Sequence, residues 1–459
     1  MLSSERYFSK RLLTCLLLVS VLLSFCVSPV FAQDKDDPDI QFISKVCEKL
    51  DEQFYEPTQL RYSKLFNESL RDVADLLRQK NIKFRPKKIQ YYVSKNKAEK
   101  KFQEEFLRAK RMASLSLEFG ADDLVFSAAN ALLRAVGNSH TYFLNPKESE
   151  WMNGGEDIDN LAAIGCKIKR LEDDFFYINH IISGSPSEKA LLQRFDRLIS
   201  IDGKKVENNL EKIVSQLRGK KDTEVEVIVE RSGKGISIKA KRDFVGLPSA
   251  EHRILNDQVH NFYYLLLCNF DLRGTEEIID CLKEILESKP EGLIIDLRGN
   301  SGGNFATFNL VLDYFFKAET HVYTVKNWRT TIEYKTSVMT SSLPATSAIF
   351  CPIVILIDEE SGSAAEMLPA ILQEQGKATV IGEKGSGTVS VGRLLRVDRK
   401  ANMCVTAYQF STVKGKIFEG LGVMPDIQVL LTKDDILCGR DAQLERAMKY
   451  LKEEIENDD

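Results

Sequence analysis

A serine at the start of a predicted helix is the first residue in this sequence whose position suits covalent chemistry. The apolar segment from Ile353 to Asp358 predicts a buried strand, and a short E-E-S-G turn separates it from Ser363. The first residues of a helix carry backbone N–H groups without intrahelical partners, and the helix dipole favours negative charge there. That setting suits a nucleophile. The letters S-A-A-E from Ser363 to Glu366 also form a helix-capping box, so a catalytic role and a purely structural role both stay open.

A pair of glycines after a second predicted strand could line the same site. Gly302 and Gly303 follow the apolar segment Ile294–Leu297 in the sequence I-I-D-L-R-G-N-S-G-G. Glycines let the backbone approach a substrate closely, so their N–H groups could stabilise a developing oxyanion. On its own the pattern is typical of a turn, but together with the serine turn it favours a catalytic site.

These residues belong to a chain of ordinary folded composition. Its 459 residues are 43% hydrophobic and 28% charged, which is enough chain for about three domains of ~150 residues. The formal net charge of −4 provides no global basic field, which argues against a dedicated nucleic-acid-binding protein. The five histidines show no H-E-x-x-H pattern, which argues against a catalytic metal.

The N-terminal segment has the composition of a secretory signal. Basic residues precede an apolar run over residues 12–27, and a V-F-A triplet ends at Ala32. The run is shorter than the ~20 apolar residues that a transmembrane helix needs. We therefore predict cleavage near Ala32 and a periplasmic or secreted protein, with an uncleaved anchor or lipidation at Cys26 as alternatives.

The remaining cysteines are spaced too widely for a zinc site. Of nine cysteines, Cys15 and Cys26 lie in the predicted signal, and the others show no C-x-x-C pair. Several lie in apolar segments, as Cys268 does after three leucines, so we expect buried thiols rather than disulfides.

The pattern along the chain predicts a mixed α/β protein. Apolar residues recur at helical spacing from Phe42 to Phe54, short alternating strands follow further on, and buried strands then alternate with helices. The predicted parts are a signal peptide, a helical N-terminal region, a β-rich domain, an α/β core and an acidic C-terminal tail, at residues 1–32, 33–155, 156–245, 246–445 and 446–459.

A basic segment lies within the helical region. Residues 78–111 contain thirteen Lys and Arg against three Glu, with aromatic residues between them. Such a run usually forms a solvated surface, and contact with an anionic membrane is the alternative.

The β-rich domain resembles a PDZ domain. Its segment F-D-R-L-I-S-I-D-G, which ends at Gly203, is similar to the PDZ pattern G-D-x-I-x-x-I-D-G, and Ile164–Lys167 stand in place of the carboxylate-binding loop. Leu191 and Phe195 occupy positions that are glycine in that family. The resemblance implies that the domain engages an extended protein or peptide substrate, with the substrate's C-terminus as the expected point of recognition.

Taken in order, the segments resemble the S41 family of C-terminal processing and tricorn-type serine peptidases. The likeness covers about 120–450 and is carried by D-L-R-G-N-S-G-G, D-E-E-S-G-S-A-A-E and G-V-M-P-D. It implies a ClpP/crotonase-like ββα core in which Ser363 is the nucleophile. It also implies that the backbones of Gly302 or Gly303 and of Ala364 bind the oxyanion.

The general base of the processing branch is absent from its expected position. That branch has a Lys in an F-G-K-G motif, whereas this chain has S-G-T-V over Ser386–Val389, which places Thr388 there. Lys384 lies nearby, so a Ser363/Lys384 dyad stays as an alternative.

The tricorn-like branch uses His and Glu instead, and this chain has matching residues. Ser139 and His140 supply the Ser-His pair, and Glu419 precedes G-L-G-V-M-P-D. The resemblance therefore implies that His140 is the base, that Glu419 orients its imidazole and that Ser139 supports either residue by hydrogen bonding.

The sequence thus predicts a secreted serine endopeptidase that acts by acyl transfer without a cofactor. His140 takes the Ser363 proton during attack and returns it to the leaving amine. A non-proteolytic peptide- or lipid-binding protein on the same scaffold is the alternative. The predicted partner is a protein or peptide substrate and not nucleic acid, while peripheral contact with an anionic membrane and formation of a homo-oligomer are compatible with the sequence.

Overall fold

A computed structural model of the chain describes residues 37–458 apart from 92, 115–118, 121, 153–161, 173–174, 247, 257–258 and 337–348. The predicted signal and its cleavage point lie outside the described residues. The chain divides into two compact units, one of Met1–Glu48 and Arg61–Val136 and the other of Lys49–Leu60 and Gly137–Asp459. Within the described part of the chain, no helix is both long enough and apolar enough to cross a membrane.

Helices form the first unit. They are α1 (Pro38–Gln53, whose last residues belong to the second unit), α2 (Tyr62–Gln79), α3 (Lys95–Ala113) and α4 (Asp123–Arg134). Phe66, Leu70, Val73 and Leu77 are buried at the three- and four-residue spacing that places them on one face of α2. The Phe66 ring stacks on Phe102 of α3 with 4.7 Å between centroids, so aromatic packing joins these helices.

The second unit opens with a short strand and helix and continues into a small β domain. Its elements are β1 (Tyr142–Leu144), α5 (Pro146–Met152), β2 (Cys166–Glu172), β3 (Phe175–Ile181), α6 (Pro186–Lys189), β4 (Arg197–Ile201), β5 (Lys204–Lys205), α7 (Leu210–Leu217), β6 (Glu224–Arg231) and β7 (Lys234–Lys241). The sheet order is β2-β3-β4-β6-β7, with β5 beside β4. Strand β2 therefore lies at one edge of this sheet.

Strands and helices then alternate through the core. The elements are β8 (Ala250–Asn256), β9 (Asn261–Leu267), α8 (Thr275–Ser288), β10 (Gly292–Asp296), α9 (Phe305–Leu312), β11 (His321–Lys326), β12 (Thr331–Lys335), β13 (Ile353–Ile357), α10 (Ala364–Glu374), β14 (Thr379–Gly382), β15 (Val391–Arg396), β16 (Asn402–Thr412), β17 (Ile427–Gln428), α11 (Lys433–Leu437) and α12 (Ala442–Asp458). The prediction of a mixed α/β protein is confirmed.

One sheet of the core positions the two loops singled out in the sequence. Its order is β17-β14-β13-β10-β9-β8, and β9, β10, β13, β14 and β17 pair in parallel. Every residue of β10 and β13 is buried, as expected for parallel strands covered on both faces. Because β10 and β13 are neighbours, the loops that follow them meet at the same edge of the sheet.

A second core sheet brings an N-terminal segment to that edge. The long strand β16 pairs with β1 on one side and with β11 on the other, and β15 also pairs with β16. Tyr142 of β1 lies opposite Cys404, so the residues just before β1 are held against the core. No disulfide joins the cysteines of the described residues.

The predicted acidic tail is part of a helix. Residues 442–458 form α12, and Ala447 and Leu451 are buried against β10 and β13 residues such as Ile294 and Val354. The charged residues of this segment therefore cover one face of an amphipathic helix rather than a solvated extension.

Candidate active site

Ser363 lies at the tip of a strained turn between β13 and α10. Its backbone has φ 53° and ψ −124°, a left-handed conformation that costs a non-glycine residue about 1–3 kcal/mol. The N–H of Ser363 donates to the Thr388 carbonyl at 2.6 Å, which holds the turn. The capping-box alternative is wrong, because the Ser363 side chain makes no capping hydrogen bond. Its hydroxyl is thereby available for other contacts.

His140 lies beside that hydroxyl. Its Nε2 atom is 3.3 Å from Ser363 Oγ, although the residues are 223 positions apart. The backbone N–H of His140 donates to Asn138 Oδ1 at 3.2 Å, and the imidazole packs against Gly392, where an added Cβ would come within 3.3 Å of the ring. These contacts fix the ring next to the serine.

Ser139 lies between His140 and Glu419. Its Oγ atom is 3.1 Å from His140 Nδ1 and donates to Glu419 Oε1 at 2.8 Å. The carboxylate can only accept, so it takes the hydroxyl proton, and Ser139 Oγ accepts from Nδ1–H. This assignment, inferred from the hydrogen-bond network, leaves the lone pair of Nε2 directed at Ser363. The second carboxylate oxygen of Glu419 accepts from Val389 N at 2.8 Å.

The glycine pair packs beside Ser363 through Gly302, and Ala364 follows the serine directly. Gly302 is packed so closely that an added Cβ would lie 2.6 Å from Ser363 Cβ, so a side chain there would block the site. The N–H of Gly302 donates to Asn300 Oδ1 at 2.8 Å. Within the described residues, the N–H groups of Gly303 and Ala364 donate to no protein atom. Gly303 and Ala364 are therefore the donors that remain for a ligand.

The pKa of the His140 imidazole is shifted by its surroundings. The largely buried position of His140 lowers its pKa below the ordinary value, and the negative charge of Glu419 opposes part of that shift. Burial therefore favours the neutral imidazole, which is the form that is able to accept a proton.

Two family models match this chain. Residues 261–429 match peptidase family S41, and residues 162–241 match the PDZ domain. The core of the chain is similar to peptidase family S41. It is accordingly an S41-like serine-type endopeptidase, and both resemblances predicted from the sequence are confirmed. Ser363 and Glu419 lie inside the S41 match, whereas Ser139 and His140 lie outside both matches.

Relatives of this S41-like peptidase match about two thirds of its length or more. A carboxyl-terminal-processing protease of Picosynechococcus sp. is 27% identical over 308 residues, which are 66% of this chain and 72% of the relative. The carboxy-terminal processing protease CtpB of Bacillus subtilis (strain 168) is 24% identical over 338 residues, which are 72% and 67% of the two chains. The structure of a photosystem II D1 C-terminal processing protease has the same fold, with a TM-score of 0.52, 17% identity and coverage of 88% of this chain and 97% of that one.

Glu366 connects α10 to two neighbouring loops. Its carboxylate is fully buried and accepts from Gly387 N at 2.8 Å, Thr388 N at 3.1 Å, Ser386 Oγ at 3.0 Å and Val423 N at 2.8 Å. Burial raises its pKa, and these donors oppose the rise. The local S-A-A-E pattern indicates for Glu366 only the capping-box alternative, because the partners of this carboxylate lie too far along the chain to be visible from local spacing.

Lys169 is a second residue that sequence analysis missed. It lies on β2 of the PDZ domain, and its Nζ atom is 2.7 Å from Asp358 Oδ2 and 2.9 Å from Glu359 Oε1. Asp358 Oδ1 in turn accepts from Gly299 N at 2.9 Å and from Ser361 N at 3.2 Å. Burial alone would lower the pKa of Lys169, but Asp358 and Glu359 raise it above its ordinary value. The PDZ domain thus contacts the loop that leads to Ser363 directly, and Asp358 links this contact to the loop that begins at Gly299.

The alternative base, Lys384, lies on the surface. Its side chain is exposed and its Cε atom packs beside Gly422. The position that carries Lys in the processing branch is occupied by Thr388, whose Oγ1 is hydrogen-bonded to Ser386 Oγ. These two hydroxyls lie against Gly362, where an added Cβ would come within 2.6 Å of Thr388 Oγ1.

Proposed function

We propose that this S41-like peptidase cleaves protein or peptide substrates internally, with Ser363 as nucleophile and His140 as general base. The contact of 3.3 Å between His140 Nε2 and Ser363 Oγ carries the proposal. His140 takes the hydroxyl proton as Ser363 attacks the scissile carbonyl, which gives a tetrahedral intermediate. His140 then protonates the leaving amine, and water releases the acyl group by the reverse sequence.

Glu419 and Ser139 support the base in this proposal. The hydrogen bonds from His140 Nδ1 to Ser139 and from Ser139 to Glu419 set the tautomer and favour the imidazolium that forms during attack. The N–H groups of Gly303 and Ala364 stabilise the oxyanion. Each such donor is typically worth about 2.7–4 kcal/mol in the transition state.

The decisive experiment is turnover of an unfolded protein by the mature chain and three variants. Ser363→Ala and His140→Ala are expected to abolish turnover, whereas Lys384→Ala, a matched change of an exposed cation, is expected to retain it. Loss with Lys384→Ala but not with His140→Ala would assign the reaction to a Lys dyad. If the unmodified chain is inactive on every substrate, binding of peptide or lipid on the same scaffold becomes the better account.

The PDZ domain is proposed to bind the substrate C-terminus. Strand β2 is an edge strand, to which an extended peptide can add, and Gly165 at its start provides the backbone turn. Two relatives are named carboxyl-terminal or carboxy-terminal processing proteases, which supports recognition of the substrate C-terminus. Cleavage of one substrate with a free and with an amidated C-terminus tests this step. Equal kcat/KM for the two forms would contradict it.

Secretion and membrane contact form a separate part of the proposal. We infer that the chain is exported after cleavage near Ala32 and that its basic surface contacts anionic lipid. In the first unit, Lys83, Arg85, Lys87 and Lys88 are exposed around buried Phe84. Each basic side chain near an anionic membrane contributes about 1 kcal/mol.

Vesicle sedimentation tests the membrane contact. The mature chain is expected to sediment with vesicles of anionic lipid and not with vesicles of neutral lipid. The combined change of Lys83, Arg85 and Lys88 to Glu should remove the difference. Equal sedimentation of the variant and the unmodified chain would contradict the assignment of this surface.

A further inference from the structure

Two residues of the PDZ domain adopt backbone conformations that normally require glycine. Leu191 has φ 63° and Phe195 has φ 72°. The corner between them is held inside the domain by Asp196, which receives two hydrogen bonds of 2.6 Å from Arg231. Side chains at left-handed positions are unfavourable, and they persist where the surrounding structure stabilises them.

The Phe195 ring points to the peptidase core. It is 5% exposed and packs in a cluster with Phe175, Tyr177 and Ile436, of which Ile436 belongs to α11 of the core. Leu431 and Leu437 border the same cluster. The apolar core of the PDZ domain is a separate cluster, so Phe195 joins two domains rather than filling one.

Strand β3 is apolar on both faces, because one face packs inside the PDZ domain and the other packs against the peptidase core. Phe176 and Ile178 face the interior of the PDZ domain, whereas the alternate residues Phe175 and Tyr177 face the cluster with Ile436. A strand on the surface of an independent domain has one polar face. The second apolar face of β3 therefore indicates that this surface is covered by the core.

Arg194 adds an ionic contact at the same corner. Its guanidinium lies 4.6 Å from the centroid of the Phe195 ring, and its Nη1 atom donates to Asp441 Oδ2 at 2.6 Å. Asp441 also accepts from Arg298, which follows β10 on the loop that leads to Gly302. The corner thus contacts the core beside an active-site loop, while Lys169 on β2 reaches Asp358.

We propose that the corner at residues 191–196 is a docking clamp that fixes the PDZ domain, and with it β2, relative to Ser363. If β2 binds the substrate C-terminus, which rests on the proposed function, the fixed distance makes the enzyme cut at a set number of residues from that end. Phe195 and Arg194 are then positioning residues that determine where the substrate is cleaved.

Hydrogen exchange tests the clamp independently of activity. Phe195→Gly removes the ring and relieves the left-handed backbone, and Leu191→Gly is the matched control because it relieves the same strain at a side chain that is 73% exposed. We expect exchange in β3 and α11 to become at least about tenfold faster in Phe195→Gly and to stay unchanged in Leu191→Gly. Unchanged exchange in both variants would overturn the proposal.

A change on the core side covers the case in which Phe195→Gly unfolds the PDZ domain. Ile436→Ala leaves the PDZ sequence intact and shortens the partner of Phe195. It is expected to accelerate exchange at Phe175–Tyr177 while the strands β6 and β7 keep their protection. Unchanged exchange at Phe175–Tyr177 in Ile436→Ala would also overturn the clamp.

Mapping of cleavage positions tests the consequence for specificity. Peptides that share one sequence and carry increasing C-terminal extensions should be cut at positions that move by the length of the extension. Phe195→Gly should spread the cuts over several bonds, and Leu191→Gly should not. If the unmodified enzyme cuts every peptide at the same sequence, the fixed distance is overturned. If it cleaves none of the peptides, the result counts against the proposed function, and the exchange experiment alone decides whether the clamp exists.

Discussion

Ser139 and Glu419, which are 280 positions apart in the sequence, are joined by a hydrogen bond of 2.8 Å from Oγ to Oε1. The serine hydroxyl therefore transmits the effect of the carboxylate to His140 Nδ1. A second bond, from Val389 N to Glu419 Oε2, leaves the carboxylate little freedom to turn toward the imidazole itself. The imidazole of His140 is thus oriented by two side chains in series.

Replacement of Ser139 by Ala should lower kcat about 10- to 100-fold with little change in KM. A hydrogen bond to a charged group is worth about 1.5–3 kcal/mol, and about 1.36 kcal/mol corresponds to a factor of ten. Ser139→Thr retains the hydroxyl and serves as the control. Because the two residues act in series, the double variant Ser139→Ala/Glu419→Gln should have a kcat only slightly below that of the slower single variant. A double variant whose loss in kcat equals the product of the two single losses would contradict the arrangement in series.

The pH dependence of kcat/KM should report the lowered pKa of His140. The imidazole must be neutral to act as a base, so activity falls as the pH decreases through its pKa in the folded enzyme. Burial places that pKa below the ordinary value, and the midpoint of the acidic limb is expected below ~6.5. Since Glu419 raises this pKa, Glu419→Gln should move the midpoint further down and reduce the maximal rate. A midpoint that moves up in this variant would contradict the assignment.

Glu366→Gln should lower both stability and turnover. The amide keeps one acceptor oxygen and directs an NH₂ group at backbone donors. Gly385 packs closely on this carboxylate, since an added Cβ there would lie 2.1 Å from Glu366 Oε1. We expect a loss of about 1–3 kcal/mol in the free energy of unfolding, measured in urea, together with a lower kcat. Ser386→Ala removes one donor to Glu366 and is the control, with a smaller effect on both quantities.

Arg298→Met should destabilise the core strongly at neutral pH. Arg298 is buried and donates to Asp296 Oδ1 at 2.9 Å and to Asp441 Oδ1 at 2.9 Å, so its removal leaves two buried carboxylates without this cation. The expected loss is about 3–5 kcal/mol in the free energy of unfolding. Arg134→Met provides the control, because Arg134 is 63% exposed beside Asp72 and such pairs contribute at most about 1 kcal/mol.

The effect of Arg298→Met should also depend on pH. Burial would raise the pKa of Asp441, but Arg298 and Arg194 lower it well below the ordinary value. A carboxyl group with a lowered pKa in the folded state stabilises the protein above its unfolded pKa, near ~3.9, and loses that contribution as the pH falls. The difference in stability between the unmodified chain and Arg298→Met should therefore narrow below about pH 4. A constant difference from pH 7 to pH 3 would show that Asp441 is not involved.

Much of the fold and part of the candidate site could be predicted from local sequence. Two continuous apolar segments bounded by turn residues are Ile353–Asp358 and Ile294–Leu297. Such segments indicate buried strands from local sequence alone. The resemblance to the S41 family added His140 and Glu419, which local spacing alone would have left as an ordinary histidine and a loop carboxylate. The apolar face formed by Ala447 and Leu451 is hard to detect in the sequence, because charged residues surround it.

The sequence by itself determined the serine turn, the glycine pair and the order of the domains, because these depend on neighbours within a few residues. Only the tertiary structure decided that Ser139 lies between His140 and Glu419, that Glu366 binds the loops around Thr388 and Val423, and that Phe195 packs against the core from a left-handed backbone. Each of these contacts joins segments that are distant in the chain. Its existence depends on which strands pair and which faces are buried, and a local pattern of residue types does not contain that information.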